Sequence, residues 1–468
     1  MPCTESLRRE RSMSPPALIR SPRTPANLLL REVRALDPRL GLDGCRDVLV
    51  RDGVIAEIAA PGTLAEEARA GMQTVEGGGR LALVPAFFDP HVHLRTPGQE
   101  HKEDIVSGTR AAAAGGYGGV IAMPNTDPPI DTPQRLRAVR ETAAREAVVP
   151  VGFLPAITRG LAGEELTEMA GLREGGALGF TDDGQPVASA GVLREAIARQ
   201  REVGGVLALH EEERSLSRGG ALREGPVSAA LGIQGVPAAS EAAMVARDMA
   251  LAACEGGRLH LQHLSCVASI ESVAAAKACG VGVSAEATPH HLLLSEDDVR
   301  DPASGEADTA RKMNPPLGTE ADRRALVEAL RTGTVDCVAT DHAPHAAAEK
   351  ALPFGRAPMG TTGLETAFAA LHTGLVLPGV LDLATLLQRM TAGAQLFGLP
   401  EPTLATGGEA SLTLVDLDAE WVAGEHGWES RSASNCFAGR RLRGRVLATI
   451  AAGALVYQAA SLTAAVAA

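Results

Sequence analysis

The residues best equipped for chemistry stand in the stretch Phe88-Asp89-Pro90-His91-Val92-His93-Leu94-Arg95. Side chains on a strand alternate between faces, so His91 and His93, at the end of the apolar run Leu81 to Phe88, project the same way. Two imidazoles placed like this can share a cation. Arg95 follows two residues later, leaves the strand on the same side and can meet a carboxylate with forked hydrogen bonds. A His-x-His pair is also common at ordinary strand ends, so its meaning depends on donors elsewhere. Four later apolar runs end in Thr181-Asp182-Asp183-Gly184, Leu209-His210-Glu211, His260-Leu261-Gln262-His263 and Ala339-Thr340-Asp341-His342. One residue from each, added to His91 and His93, makes four histidines and two aspartates. That set can hold two divalent ions, and imidazole with carboxylate suits zinc. His260 and His263 face opposite ways on a strand, so at most one joins; His263, nearer the C-terminal end, is preferred. Asp182 and Asp183 also face opposite ways, and periodicity does not choose between them.

These donors need a scaffold that brings strand ends together. Buried strands are expected at residues 81–88, 119–123, 148–154, 177–181, 206–209, 259–262, 281–286 and 335–340, separated by Ala/Leu/Arg-rich helices. Eight such units predict an α/β fold, a closed (β/α)8 TIM-like barrel with its chemistry at the C-terminal rim. Short strands with an Asp52-Gly53 hairpin signal precede it, with a short helix at 64–70, and short strands return after residue 400. The expected organisation is therefore a barrel over 81–389 beside a small composite β-sandwich from 28–80 and 390–468, with a disordered tail over 1–27. A net charge of −13 argues against a nucleic-acid surface, and no apolar run reaches the 18 residues of a membrane span. Seven cysteines without a C-x-x-C pair fit a reducing cytoplasm.

Asp89-Pro90-His91-Val92-His93-Leu94-Arg95, Met123-Pro124-Asn125-Thr126, Asp182-Asp183-Gly184, Met313-Asn314-Pro315-Pro316-Leu317 and Ala339-Thr340-Asp341-His342-Ala343-Pro344-His345 closely resemble the bacterial class I dihydroorotases of the amidohydrolase superfamily. The resemblance runs from about Leu28 to Tyr457. It implies two zinc ions per chain and the reversible cyclisation of N-carbamoyl-L-aspartate to dihydroorotate in pyrimidine synthesis. By the same resemblance His91, His93 and Asp341 would hold one zinc, His210 and His263 the other, and Asp183 would bridge them. Asp341 would be the catalytic proton carrier. Arg95, Asn125 and His345 match positions that grip the substrate, with His93 beside them, and Asn314 and the backbone at Met359-Gly360 match further ring contacts. The family usually has an aromatic where Met359 stands. A homo-oligomer and association with aspartate transcarbamoylase are further expectations of the resemblance.

Two rival functions are weighed. Hydantoinases and allantoinases bridge their metals with a carbamylated lysine on the fourth barrel strand, but all four lysines (Lys102, Lys277, Lys312, Lys350) lie elsewhere. An inactive homologue serving as a scaffold for aspartate transcarbamoylase would typically have lost metal ligands, and this chain keeps the whole set. His290-His291 is expected to be structural, because the ligand set is complete without it. The Gly/Pro-rich segment from Leu352 to Gly363 is expected to close over the substrate.

Overall fold

A computed structural model describes residues 17–64, 72–301 and 304–462. All but the first residue of the helix expected at 64–70, and the first sixteen residues of the expected tail, lie outside the described residues. Eight short parallel strands form the barrel: Phe87–Val92, Tyr117–Ala122, Val151–Phe153, Phe180–Thr181, Leu207–Leu209, Leu259–Leu261, Val283–Ala287 and Cys337–Val338. Two seams close it. Leu178 donates its N–H to Phe153 O (3.1 Å), joining strands three and four. His93 N–H meets His342 O at 2.9 Å, joining strand eight to strand one. Helices pack outside the strands, several of them started by a side-chain cap. Thr319 and Asp322 form a reciprocal capping box on the helix Glu320–Thr332, and Gly333 ends it at φ 91°, where a residue with a Cβ is disfavoured.

The run read as one strand over 81–88 is two strands. Leu81–Pro85 belongs to an antiparallel-rich sheet, pairing with Leu412–Val422, and Phe87–Val92 opens the barrel. Pro85 has no N–H to continue a ladder. The next two amides switch partners, Ala86 to Ser411 O and Phe87 to Gly116 O. That sheet has eight strands from both ends of the chain. The strands Leu28–Asp37, Leu42–Arg51, Val54–Ala59 and Gln73–Glu76 come from the N-terminal side, and Arg441–Ala451 and Ala454–Gln458 from the C-terminal side. Ala394 and Phe397 pack with Phe88 and Ile121 beneath the barrel rather than on this sheet.

The expectation of disorder through residue 27 is corrected from residue 17 onward. Ile19 exchanges hydrogen bonds with Val151 (2.9 and 2.8 Å), and Leu18 packs against Phe88, Ile121, Met123, Leu154 and Leu178 at the barrel floor. Glycines leave room for it: a Cβ on Gly119 or Gly152 would sit 3.2 or 3.0 Å from Leu18. No described helix is long and apolar enough to cross a membrane.

Candidate active site

The C-terminal ends of the strands carry the donors to one place. Asp89, fully buried, accepts the N–H of His91 (3.0 Å) and of Thr340 (3.2 Å), fastening strand one to strand eight below the donors. Above this tie the rings of His91 and His93 lie 5.3 Å apart. Each has one nitrogen already engaged. His91 Nδ1 meets Glu286 Oε1 at 2.6 Å and His93 Nδ1 meets Asn125 Oδ1 at 2.8 Å. Both partner atoms are acceptors, so each Nδ1 carries a proton, and both Nε2 atoms face the same space, where once unprotonated they can offer lone pairs to a cation. There His91 Nε2 lies 3.3 Å from Asp183 Oδ1 and 3.5 Å from Asp341 Oδ1. His93 Nε2 lies 3.0 Å from Asp341 Oδ1 and 3.5 Å from Asp183 Oδ2.

On the other side of Asp183, His263 Nε2 is 3.9 Å from Oδ1 and 2.9 Å from His210 Nδ1. The ligand atoms thus fall into two sets, His91 with His93 and Asp183, and Asp183 with His210 and His263, each within 4.8 Å. Asp183 is common to both. Among the described residues His91 Nε2 and His263 Nδ1 are buried without a hydrogen-bond partner, a costly condition that a cation at the first would relieve. The donors therefore fit metal ions. Burial works against charge on every member, but the groups offset one another. Glu286, Asp183 and Asp341 overcome burial to hold the His91 imidazole well above its usual range, while His91 and His93 hold Asp183 and Asp341 well below theirs.

Both choices left open by periodicity are resolved by the neighbours. Asp182 points away and accepts the N–H groups of Ile157 (2.8 Å) and Thr158 (3.0 Å), a loop-tying role, while Asp183 enters the cluster. His260 bonds Ser284 and Glu286 and packs edge-on against Phe397, while His263 enters the cluster. Arg95, His263 and Asp341 all sit at positive φ (54°, 34° and 48°). Such conformations cost side-chain-bearing residues about 1–3 kcal/mol and concentrate at functional sites.

A cavity of about 220 Å³ opens above the cluster, lined by His93, Arg95, Asn125, Asp183, His210, His263, Asn314, Asp341, His345, Met359 and Gly360, with Gly184 and Ala343. All the residues expected to touch substrate are here, and of the expected ligands only His91 lies beneath it. Asn125 Nδ2 donates to Asp183 Oδ2 (3.0 Å), and Asn314 Nδ2 donates to Glu212 Oε2 (3.1 Å). Arg95 is buried. Its Nε donates to Pro344 O (3.2 Å), and among the described residues no carboxylate lies within 4 Å of it. His345 Nε2 donates to Met359 O (2.8 Å). Burial and the cations Arg95, Lys102 and Lys350 pull its imidazole down to about 3, so it is neutral at pH 7. His290 and His291 are outside this lining; His291 bonds Thr288 and Pro315 O, a structural role.

Sequence reasoning missed Glu286. It sits in the seventh strand with its carboxylate on His91 Nδ1, on His260 Nε2 (3.0 Å) and on the His263 N–H (3.2 Å). The available signal was a lone acid between Ala285 and Ala287 in an otherwise buried run. Lys312 and Lys350 were noted only for not being ligands, yet both hold the loop beside the cavity.

A family model described as dihydro-orotase-like matches residues 79–269. A dihydroorotase from Anaeromyxobacter dehalogenans (strain 2CP-1 / ATCC BAA-258) is 43% identical over 432 residues, 92% of this chain and 98% of that protein. One from Pelotomaculum thermopropionicum is 41% identical over 434 residues, with the same coverage of both chains. Among solved structures, an L-hydantoinase (dihydropyrimidinase) from Arthrobacter aurescens superposes with a TM-score of 0.80 at 24% identity, covering 92% of this chain and 96% of that one, a likeness of fold. On near-full-length identity to these relatives, the chain belongs to the dihydroorotase family.

Proposed function

We propose that this chain is a zinc-dependent dihydroorotase that interconverts N-carbamoyl-L-aspartate and dihydroorotate plus water in pyrimidine synthesis. The observation that carries the reading is Arg95, a buried guanidinium facing the cavity with no carboxylate within 4 Å among the described residues. Such a charge calls for an anionic ligand, and its fork matches a carboxylate. His91, His93 and Asp341 would hold one zinc and His210 and His263 a second, with Asp183 shared. When bound, such ions make a water nucleophilic at neutral pH and polarise a carbonyl.

The chain's own groups supply orientation and proton transfer. Arg95 grips the substrate carboxylate, while Asn125, Asn314, His345 and the Met359–Gly360 backbone border the ring. In the ring-opening direction a water oxygen bonds to the amide carbon and the C–N bond breaks. Asp341 receives the water proton at Oδ2, the oxygen that takes no hydrogen bond among the described residues, and passes it to the leaving ring nitrogen. Cyclisation runs the same path backwards. Scattered cysteines and the lack of a long apolar run in the sequence support a cytoplasmic setting. A homo-oligomer and an aspartate transcarbamoylase partner complete the proposal on the family resemblance.

The hydantoinase alternative needs a lysine between the metals. Here Lys277 pairs with Asp336, Lys102 with Glu349, and Lys312 and Lys350 bond loop carbonyls, so a carboxylate fills that role. Assaying the zinc-loaded protein with dihydroorotate, hydantoin and allantoin tests the reading. Turnover of dihydroorotate is expected, and turnover confined to the other two would overturn it.

Two substitutions probe the parts separately. Arg95→Met should raise KM for dihydroorotate about 30- to 100-fold, the worth of a forked bond to a charged group. A KM within about threefold of the parent would remove Arg95 from the substrate. Glu286→Gln should weaken zinc retention about 10- to 100-fold, because the His91 ring loses the anion that orients it. Chelator competition reads this directly, and unchanged retention would leave Glu286 a purely structural acid.

A further inference from the structure

Two of the four lysines in the chain are buried within reach of one loop. Lys312 and Lys350 are 4% and 7% exposed. Lys312 Nζ donates to Phe354 O (2.6 Å) and Ala357 O (2.7 Å), and Lys350 Nζ donates to Pro358 O (3.0 Å) and Gly360 O (2.8 Å). The Lys312 backbone O also accepts the Gly360 N–H (2.8 Å). Among the described residues neither ammonium has a carboxylate within 4 Å, so their hydrogen bonds go to these carbonyls. Burying an ammonium is unfavourable unless its donors are satisfied, and carbonyl dipoles held in place do that only while the loop keeps this shape. An apolar side chain would fill the same space without dictating where four carbonyls point.

The remainder of the loop faces the cavity. Met359 O, the one carbonyl of residues 357–360 not bonded to a lysine, accepts from His345 Nε2. Gly360 has φ 135°, and a Cβ there would lie 2.6 Å from Ala343 O. Met359, Gly360 and His345 all line the cavity above the donor cluster. Residues 354–360 are thus fastened from behind by cations and turned toward the substrate space in front.

We propose that Lys312 and Lys350 are positioning residues for the substrate, their buried ammoniums fixing the Met359–Gly360 backbone and His345 as a rigid wall of the cavity. The proposal rests on the dihydroorotase reading above. It replaces the moving cover expected of residues 352–363 with a preset surface, so the loop contributes to binding without paying an ordering cost at each turnover.

The test compares the zinc-loaded parent with Lys350→Met and Lys312→Met, which keep an unbranched side chain one atom shorter and remove its donors. KM for dihydroorotate should rise about tenfold in each, with kcat and bound zinc within about twofold of the parent. Lys350→Gln, whose amide NH2 can still donate to a loop carbonyl, should fall between parent and Lys350→Met and serves if the methionine variant does not fold. A folded variant with a lower melting temperature but parental KM would overturn the proposal, as would a fall in kcat alone. A parent that fails to turn over dihydroorotate would instead bring down the functional reading on which the proposal rests.

Discussion

Asp341→Asn is expected to lower kcat for dihydroorotate hydrolysis about 10³-fold, within the range that a positioned general acid–base group contributes. Asparagine matches the size of the carboxylate and keeps one oxygen that can face a cation, but its Nδ2 stands where Oδ2 would receive the proton. Asp341 Oδ1 lies against both His91 and His93, so the substitution also removes an anionic donor from one proposed zinc site. The measurement should therefore be made at saturating zinc, with metal content determined on the same sample. A loss under tenfold with zinc retained would move the proton to another group. A loss that disappears as zinc is raised would make Asp341 a ligand only.

The second large effect is expected at Asp183, which belongs to both donor sets. Asp183→Ala should reduce bound zinc from the proposed two ions per chain to fewer than one and leave turnover undetectable, because one carboxylate would serve both positions. It also strips the buried imidazoles of a counter-charge. After Glu286, Asp183 is the anion that most helps to hold the His91 imidazole well above its usual range against burial, so the variant should show a lower melting temperature even in excess chelator. Metal analysis after gel filtration, paired with melts in chelator, separates the two consequences. A variant that keeps two zincs would remove Asp183 from the bridging position.

Much of this site was legible in the sequence because barrel strands end in short polar signatures that need no tertiary knowledge to notice. His91-Val92-His93 and Asp341-His342 are examples. The barrel was legible for a related reason, since eight buried runs alternating with helical stretches leave few topologies. What stayed hidden depended on packing. Runs buried on both faces lose the period-two signal, so Leu81 to Phe88 gave no sign that Pro85 hands the chain from one sheet to another. Asp182 and Asp183 look alike in a linear string, and only the amides of Ile157 and Thr158 distinguish them. Glu286 was missed because its role exists only where three strands converge. Residues 17–27 resemble a solvated tail in composition, and their order comes from a barrel floor whose glycines at 119 and 152 leave space for Leu18.

The shared sheet has a consequence for how the protein is made. Leu81–Pro85 pairs on one side with Leu28–Asp37 and on the other with Leu412–Val422. During synthesis the first strands leave the ribosome more than three hundred residues before the partner that covers their open edge. An uncovered edge recruits other strands, including those of a neighbouring nascent chain. The barrel can assemble in the interval, but the sheet cannot be completed until translation is nearly finished. The yield of native protein should therefore depend on whatever shields that edge in the meantime, a demand imposed by the order of the strands rather than by the chemistry they support.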